Sequence, residues 1–403
     1  MQKSIGTVLA IALLSLALGA CQQTPKVVQK AVVDYYTGNY VGAAALLKPL
    51  TDKKDEGYVL NNCRYGSAAL AAGNLAEAHA AFMRAYDVIN TVGTNDSGRT
   101  FGAAMVWEGV KVWKGEPFER AMAHYYVGLT FLIQDPPDYE NARAAFRNSL
   151  FKLHEYAESK KGKSEAEQYP EIDTNFALGY LGLGLCYLRD PLADKALAEA
   201  NFKLAVQHQP GLSSIVQALH DPRNNILAFV DYGQGPRRAP KGWYNERSAF
   251  GPTPQEAGPI QGVAGYVNGK QVTPPLRFDT LDTLALAQEQ KWQDIDTIRE
   301  TKAVIGTGAM AAGAGVAAYG AERHDTGTAL AGLGIMAAGA LISASSQADL
   351  RYWEMLPRTV YLVPMHADPG EQTIQVLVGP ATSAPFKVPV KPTGDMVLYF
   401  RMY

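Results

Sequence analysis

The chain has 403 residues, 47% hydrophobic and 19% charged, with a formal net charge of −2. So even a balance excludes a general electrostatic grip on nucleic acid, and the length allows sizeable cores. Its 3 cysteines show no Cys-x-x-Cys spacing, which excludes metal sites of that pattern.

Lys3 opens an apolar run over residues 5–18, too short for a permanent membrane span, and small residues lead into Cys21. This pattern predicts a cleaved export signal over residues 1–20. Its ending, Leu18-Gly19-Ala20-Cys21, resembles the bacterial lipobox, in which the cysteine is lipidated and becomes the mature N-terminus. The competing reading is an ordinary secretory signal cleaved beside a cysteine. The resemblance implies acyl chains, palmitate among them, on Cys21. Each buried methylene contributes roughly 0.8 kcal/mol, so several chains together anchor stably. Gln22, where an Asp would imply inner-membrane retention, implies the outer membrane with the body facing the periplasm. Residues 21–26 then form a short tether. Cys63 and Cys186 lie in apolar helical stretches, and buried free thiols are expected rather than a disulfide.

Residues 27–220 are rich in Ala, Leu and Tyr at helical spacing. Gly38-Asn39-Tyr40-x-x-Ala43 is echoed by Gly73-Asn74-Leu75-x-x-Ala78, followed by Phe82 and Ala85. Farther on, Gly128 precedes Ala142 and Phe146, and Gly184 precedes Ala198 and Phe202. The pattern resembles the tetratricopeptide repeat, a helix-turn-helix unit of roughly 34 residues; a generic helical bundle is the alternative. The small residues let paired helices approach, and the aromatic fills the gap. The resemblance implies a concave surface that binds a protein or peptide segment. Tyr58, Arg64, Tyr125 and Tyr180, on the first helix of each repeat, are the expected contacts. The insertion over residues 92–119, with Trp107 and Trp113, either covers that surface or sends both rings into the core.

After His208-Gln209-Pro210-Gly211 the periodicity changes. Short β-branched and aromatic runs at residues 226–232, 260–267, 358–363, 373–378, 386–390 and 396–400 predict strands. Asp368-Pro369-Gly370-Glu371 predicts a turn. The expected fold class is therefore α+β: a helical array, then a small antiparallel β domain over residues 221–403 with a helical insertion at 279–350. Within the insertion, residues 281–302 predict one amphipathic helix. Residues 303–345 predict a Gly/Ala hairpin broken at Glu322-Arg323-His324-Asp325, closely packed through Gly308, Ala312, Gly315, Gly332, Gly334 and Gly339. Such packing suits membrane helices, but Ala and Gly add little hydrophobic free energy. Burial or self-association of the hairpin and membrane insertion both remain open.

Three pieces resemble a bacterial lipoprotein family with tetratricopeptide repeats and no established activity. They are the strand Phe229 to Tyr232 followed by Gly233-Gln234-Gly235-Pro236, the segment from Ala348-Asp349 through Arg351, Trp353 and Leu356-Pro357, and Pro369-Gly370-Glu371-Gln372-Thr373-Ile374. Gln372 stands where that family's pattern has His. The resemblance implies a place in a cell-envelope assembly.

Histidines 79, 124, 154, 208, 220, 324 and 366 lack metal-ligand spacing. No nucleophile elbow or phosphate loop is present, so neither catalysis nor a cofactor is expected. For Asp349, Arg351 and Trp353, an ion pair above a Trp plug is expected rather than chemistry. Arg237, Arg238 and Lys241 are candidates for touching anionic headgroups or glycan. The expectation is an anchored scaffold for an envelope protein, with no nucleic acid and with self-association open; the alternative is a membrane-active or pore-associated component acting through hairpin 303–345.

Overall fold

Two Gly-Asn pairs set the first turns of the helical half. Gly38 and Gly73 take φ of +82° and +77°, which an L side chain rarely adopts. The next residue, Asn39 or Asn74, accepts a backbone N–H of the following helix through its side chain, from Gly42 at 3.1 Å and Glu77 at 3.3 Å. One residue pair thus stops a helix and starts another. The computed structural model describes residues 24–91, 112–113, 115–151, 153–154, 171–172, 174–241, 247–253, 262–273, 281–289, 297–323, 325–345 and 350–403. The expected export signal over residues 1–20, Cys21, Trp107, most of the 92–119 insertion and Asp349 lie outside them.

The helices are α1 (Lys26–Tyr36), α2 (Tyr40–Leu47), α3 (Tyr58–Ala71), α4 (Leu75–Thr91), α5 (Pro117–Ile133), α6 (Tyr139–Ser149), α7 (Ala177–Arg189), α8 (Lys195–His208) and α9 (Ser213–His220). From α1 to α8 each packs on the next. Asp138 and Asp194 cap α6 and α8, and Glu116 and Glu119 form a capping box on α5. Between α6 and α7, β1 (Leu153–His154) pairs with β2 (Glu171–Ile172).

A four-stranded sheet has the order β13 (Met396–Met402), β3 (Ile226–Tyr232), β9 (Thr359–Met365), β8 (Leu281–Asp282). β13 runs parallel to β3, with Arg401 opposite Asp231, whereas an antiparallel sheet was expected. Apolar alternation carries no strand direction. A second, antiparallel sheet joins β6 (Val263–Val267), β7 (Lys270–Gln271), β10 (Gly370–Val378), β11 (Ala381–Thr382) and β12 (Phe386–Val390). The 366–369 connection enters β10 at Gly370, whose φ is +116°.

The two sheets share a core of Ile226, Val230, Tyr361, Val363 and Phe400 against Val263, Ile374, Val376 and Val388. The other face of the four-stranded sheet meets the helices, with Phe229 against Tyr125 and Arg401 against Tyr35. Buried on both faces, β3 and β9 are almost continuously apolar. β10, covered on one face, alternates. The mixed helix-and-sheet composition establishes the α+β class.

Residues 281–302 do not form one helix. Leu281 pairs with Val360 in β8, and Asp282 caps α10 (Thr283–Gln288) by accepting from the Leu284 and Ala285 N–H groups. Apolar spacing here reflects sheet and helix in succession.

The chain divides into two compact units. Lys26–Arg237, Pro252–Gln293 and Tyr352–Tyr403 form the larger, while Arg238–Gly251 and Asp294–Arg351 belong to the smaller. In the smaller, α11 (Thr297–Glu322) packs along α12 (Thr326–Ser345), as the hairpin reading expects. A Cβ on Gly313, Gly320 or Gly332 would lie 2.4, 2.4 and 2.2 Å from facing backbone nitrogens. Gly315 and Gly334, expected in the seam, face open space, and Ala312 is exposed. Gly308 and Gly339 lie outside the residues whose side chains are described. No helix among the described residues is long and apolar enough to cross a membrane. β4 (Arg237–Lys241) pairs with β5 (Arg247–Gly251).

Candidate functional site

Faces of α1, α3 and α5 are covered by the chain's own C-terminal half. Residues 352–357 cross α3 and α5 as a strap. Trp353 is 1% exposed and lies 6.0 Å from Phe82 and 5.5 Å from Tyr126, centroid to centroid. Its indole N–H donates to Ser67 Oγ at 3.1 Å, and its backbone N–H to Glu119 Oε1 at 2.7 Å. The other Glu119 oxygen accepts the Glu116 N–H at 2.8 Å, so one carboxylate caps α5 and holds the strap.

Beside it, Arg64 clamps Glu354 through Nε at 2.6 Å and Nη2 at 2.5 Å, with Nη1 on Asn61. Both ends of the ion pair are at most 10% exposed. The Tyr36 hydroxyl donates to the Glu354 carbonyl at 2.5 Å. Gly235 donates to the Leu356 carbonyl at 2.8 Å, and a Cβ there would sit 2.7 Å from that oxygen. Two of the segments carrying the family resemblance therefore meet at one backbone contact where only glycine fits.

A second polar cluster lies where the sheet meets α1 and α5. Asp231 accepts the Tyr126 and Tyr399 hydroxyls on Oδ2 at 2.5 and 2.8 Å. Burial raises its carboxyl above the ordinary range, against the pull of Arg401 and these two hydrogen bonds. Arg401 donates to the Tyr35 hydroxyl, to the Asp231 and Met402 carbonyls and to the Gly233 carbonyl. Its guanidinium lies over the rings of Tyr35, Tyr36 and Tyr403 at 5.3, 5.7 and 4.5 Å. Every donor is directed within the fold, so the arrangement fixes the array to the sheet.

The expected contact residues are placed accordingly. Tyr58, Arg64 and Tyr125 are 9%, 4% and 0% exposed and offer no surface to a partner in this conformation. Tyr180 is half-buried and stacks on His208 at 5.5 Å. Reversing the charge of Arg64 would place a second negative charge against buried Glu354. Sequence reasoning missed Glu119, Asp231, Glu354 and Arg401. Asp231 and Arg401 carried a signal, being the lone charges of two apolar strands.

Arg238 donates to Ser248 Oγ at 2.6 Å and lies over the Phe250 ring, so its head is engaged within β4 and β5. Trp113 is buried, as the core reading of the insertion expects. Cys63 and Cys186 are free and buried, which pushes both thiols up. Among the described residues no group of three His, Cys, Asp or Glu is placed to hold a metal. No protein-family model and no curated protein matches the chain.

Proposed function

We propose that this chain is a lipid-anchored scaffold of a bacterial cell envelope. It is held at the outer membrane by acyl chains on Cys21, faces the periplasm and binds a protein partner. On this reading residues 27–210 are a tetratricopeptide-like array whose groove is filled by residues 352–357, so the partner is met elsewhere. The hairpin is the surface we assign to it. Val316, Tyr319, Leu330 and Ile335 are 36%, 52%, 65% and 44% exposed on α11 and α12. No Asp, Glu, Lys, Arg or His interrupts residues 303–320 or 326–345. Uncharged, exposed apolar surface of this kind marks an interaction element, and this observation carries the proposal.

Crosslinking intact envelopes and isolating the protein tests it. An envelope protein should copurify with the full chain, be lost on deletion of residues 303–345, and be lost again with Cys21→Ala, which should leave precursor or soluble protein. Copurification unaffected by the hairpin deletion contradicts the assignment. Binding of the purified, unlipidated chain to liposomes through the hairpin would favour the membrane-active reading instead.

A further inference from the structure

A cleft of about 460 Å³ opens in the larger unit between α1, the chain following β3 and the start of the strap. Ligand pockets commonly fall in this size range. Its two sides differ in chemistry. Val32, Val33 and Tyr36, on the last turns of α1, form an apolar wall, with Val33 60% exposed. The remaining lining includes Arg237, Thr253 and Tyr352.

Those three polar groups have capacity to spare. Arg237 is exposed and makes no ion pair or hydrogen bond among the described residues. Thr253 Oγ1 is buried and has no hydrogen-bond partner. Burial pushes the Tyr352 hydroxyl up to about 12, with a further push from Glu354, so it remains a donor at neutral pH. Glu354 also lines the cleft, but Arg64 holds its carboxylate in two hydrogen bonds and compensates its charge. Arg237 is thus left as the uncompensated charge of the lining. A cation and a phenol donor line one space beside an apolar wall.

We propose that this cleft binds a small anionic amphiphile, a single carboxylate or phosphate head on a short aliphatic chain. The head meets Arg237 with Tyr352 as a hydroxyl donor, and the chain lies along Val32, Val33 and Tyr36. A guanidinium suits either anion, and the valine wall supplies area for a few methylenes. The proposal is independent of the scaffold reading and of the hairpin.

Calorimetric titration of the full mature polypeptide carrying Cys21→Ala, which needs no detergent, tests it with three probes of equal chain length. Hexanoate and hexyl phosphate distinguish the two heads, and at least one should bind; hexanol should not. Arg237→Gln should weaken the bound probe by about tenfold or more, the loss expected of a hydrogen bond to a charged group. Arg237→Lys should retain part of the affinity, and Val33→Asp should abolish it. Arg223→Gln, which removes an exposed arginine elsewhere, should change nothing. Arg237 and Val33 are exposed, so the variants should melt with the parent. The proposal is overturned if neither anion binds, if hexanol binds as well as they do, or if Arg237→Gln leaves affinity unchanged.

Discussion

Glycine brings helices together in both regions of this molecule, but by different means. In the array a phenyl ring fills the notch: a Cβ on Gly66, Gly128 or Gly184 would stand 2.7, 2.8 and 2.5 Å from Phe82, Phe146 and Phe202. Phe146 is clasped twice, since Gly182 on α7 faces it too. In the hairpin no side chain enters the seam at Gly313, Gly320 and Gly332, and backbone meets backbone. The array therefore gains buried aromatic area at each glycine. The hairpin gains little area and leaves its outer faces exposed. Small residues alone do not reveal whether a helix pair is completing a core or presenting a surface.

Emptying the groove should have the largest effect. Trp353→Ala should destabilise the larger unit by about 3–5 kcal/mol, as truncation of a buried aromatic does. Denaturant unfolding followed by circular dichroism reads this. A loss below 1 kcal/mol would show that the strap is not part of the array's core.

Acid should separate the regions next. His124 is buried on α5 against Tyr86, and burial, helped by Arg120, lowers its imidazole from 6.5 to about 4. A folded value below the unfolded one means this contribution is complete above the unfolded value and is lost as pH falls toward the folded one. The array should lose about 3 kcal/mol between those limits. His124→Phe should remove that component, seen by comparing unfolding at pH near 7.5 and near 4.5 in both proteins. Residues 303–320 and 326–345 of the hairpin carry no Asp, Glu or His, so helicity over those residues should persist.

Overfilling the notches ranks third. Gly128→Val should cost the array about 1–3 kcal/mol, because Phe146 is held from both sides. In the hairpin Gly332→Leu should part α11 from α12 by a similar cost, while Gly334→Leu should change stability by less than about 0.5 kcal/mol. Hydrogen exchange across residues 297–345 distinguishes the two. Equal effects would mean that the seam is not where the backbones meet.

Much of this contrast was legible in the sequence. The Gly–Phe spacing predicted the notches, and β-branched runs placed β3, β6, β9, β10, β12 and β13. Three features were not legible. Leu281 continues the spacing of Leu284, yet pairs as a strand, because a strand and a short helix in series mimic one amphipathic helix. Gly315 and Gly332 look alike in a Gly/Ala run, and only helix rotation decides which faces the seam. Arg64 reads as a surface cation until Glu354, 290 residues later, closes over it. The covering of α3 and α5 by residues 352–357 is a long-range contact with no local signature. The Ala-Asp-x-Arg-x-Trp-x-x-Leu-Pro segment gave its trace: the Trp plug was foreseen, its seat against α3, α4 and α5 was not.

On the proposed reading, residues 352–357 cover α3 and α5 while the hairpin meets the partner. A photo-crosslinking phenylalanine analogue placed at position 353 or at position 330 in living cells tests it most directly. Position 353 should give only intrachain adducts, mapping to α3, α4 and α5, and position 330 an adduct with a separate envelope protein. Capture of another protein from position 353, with none from position 330, would contradict it.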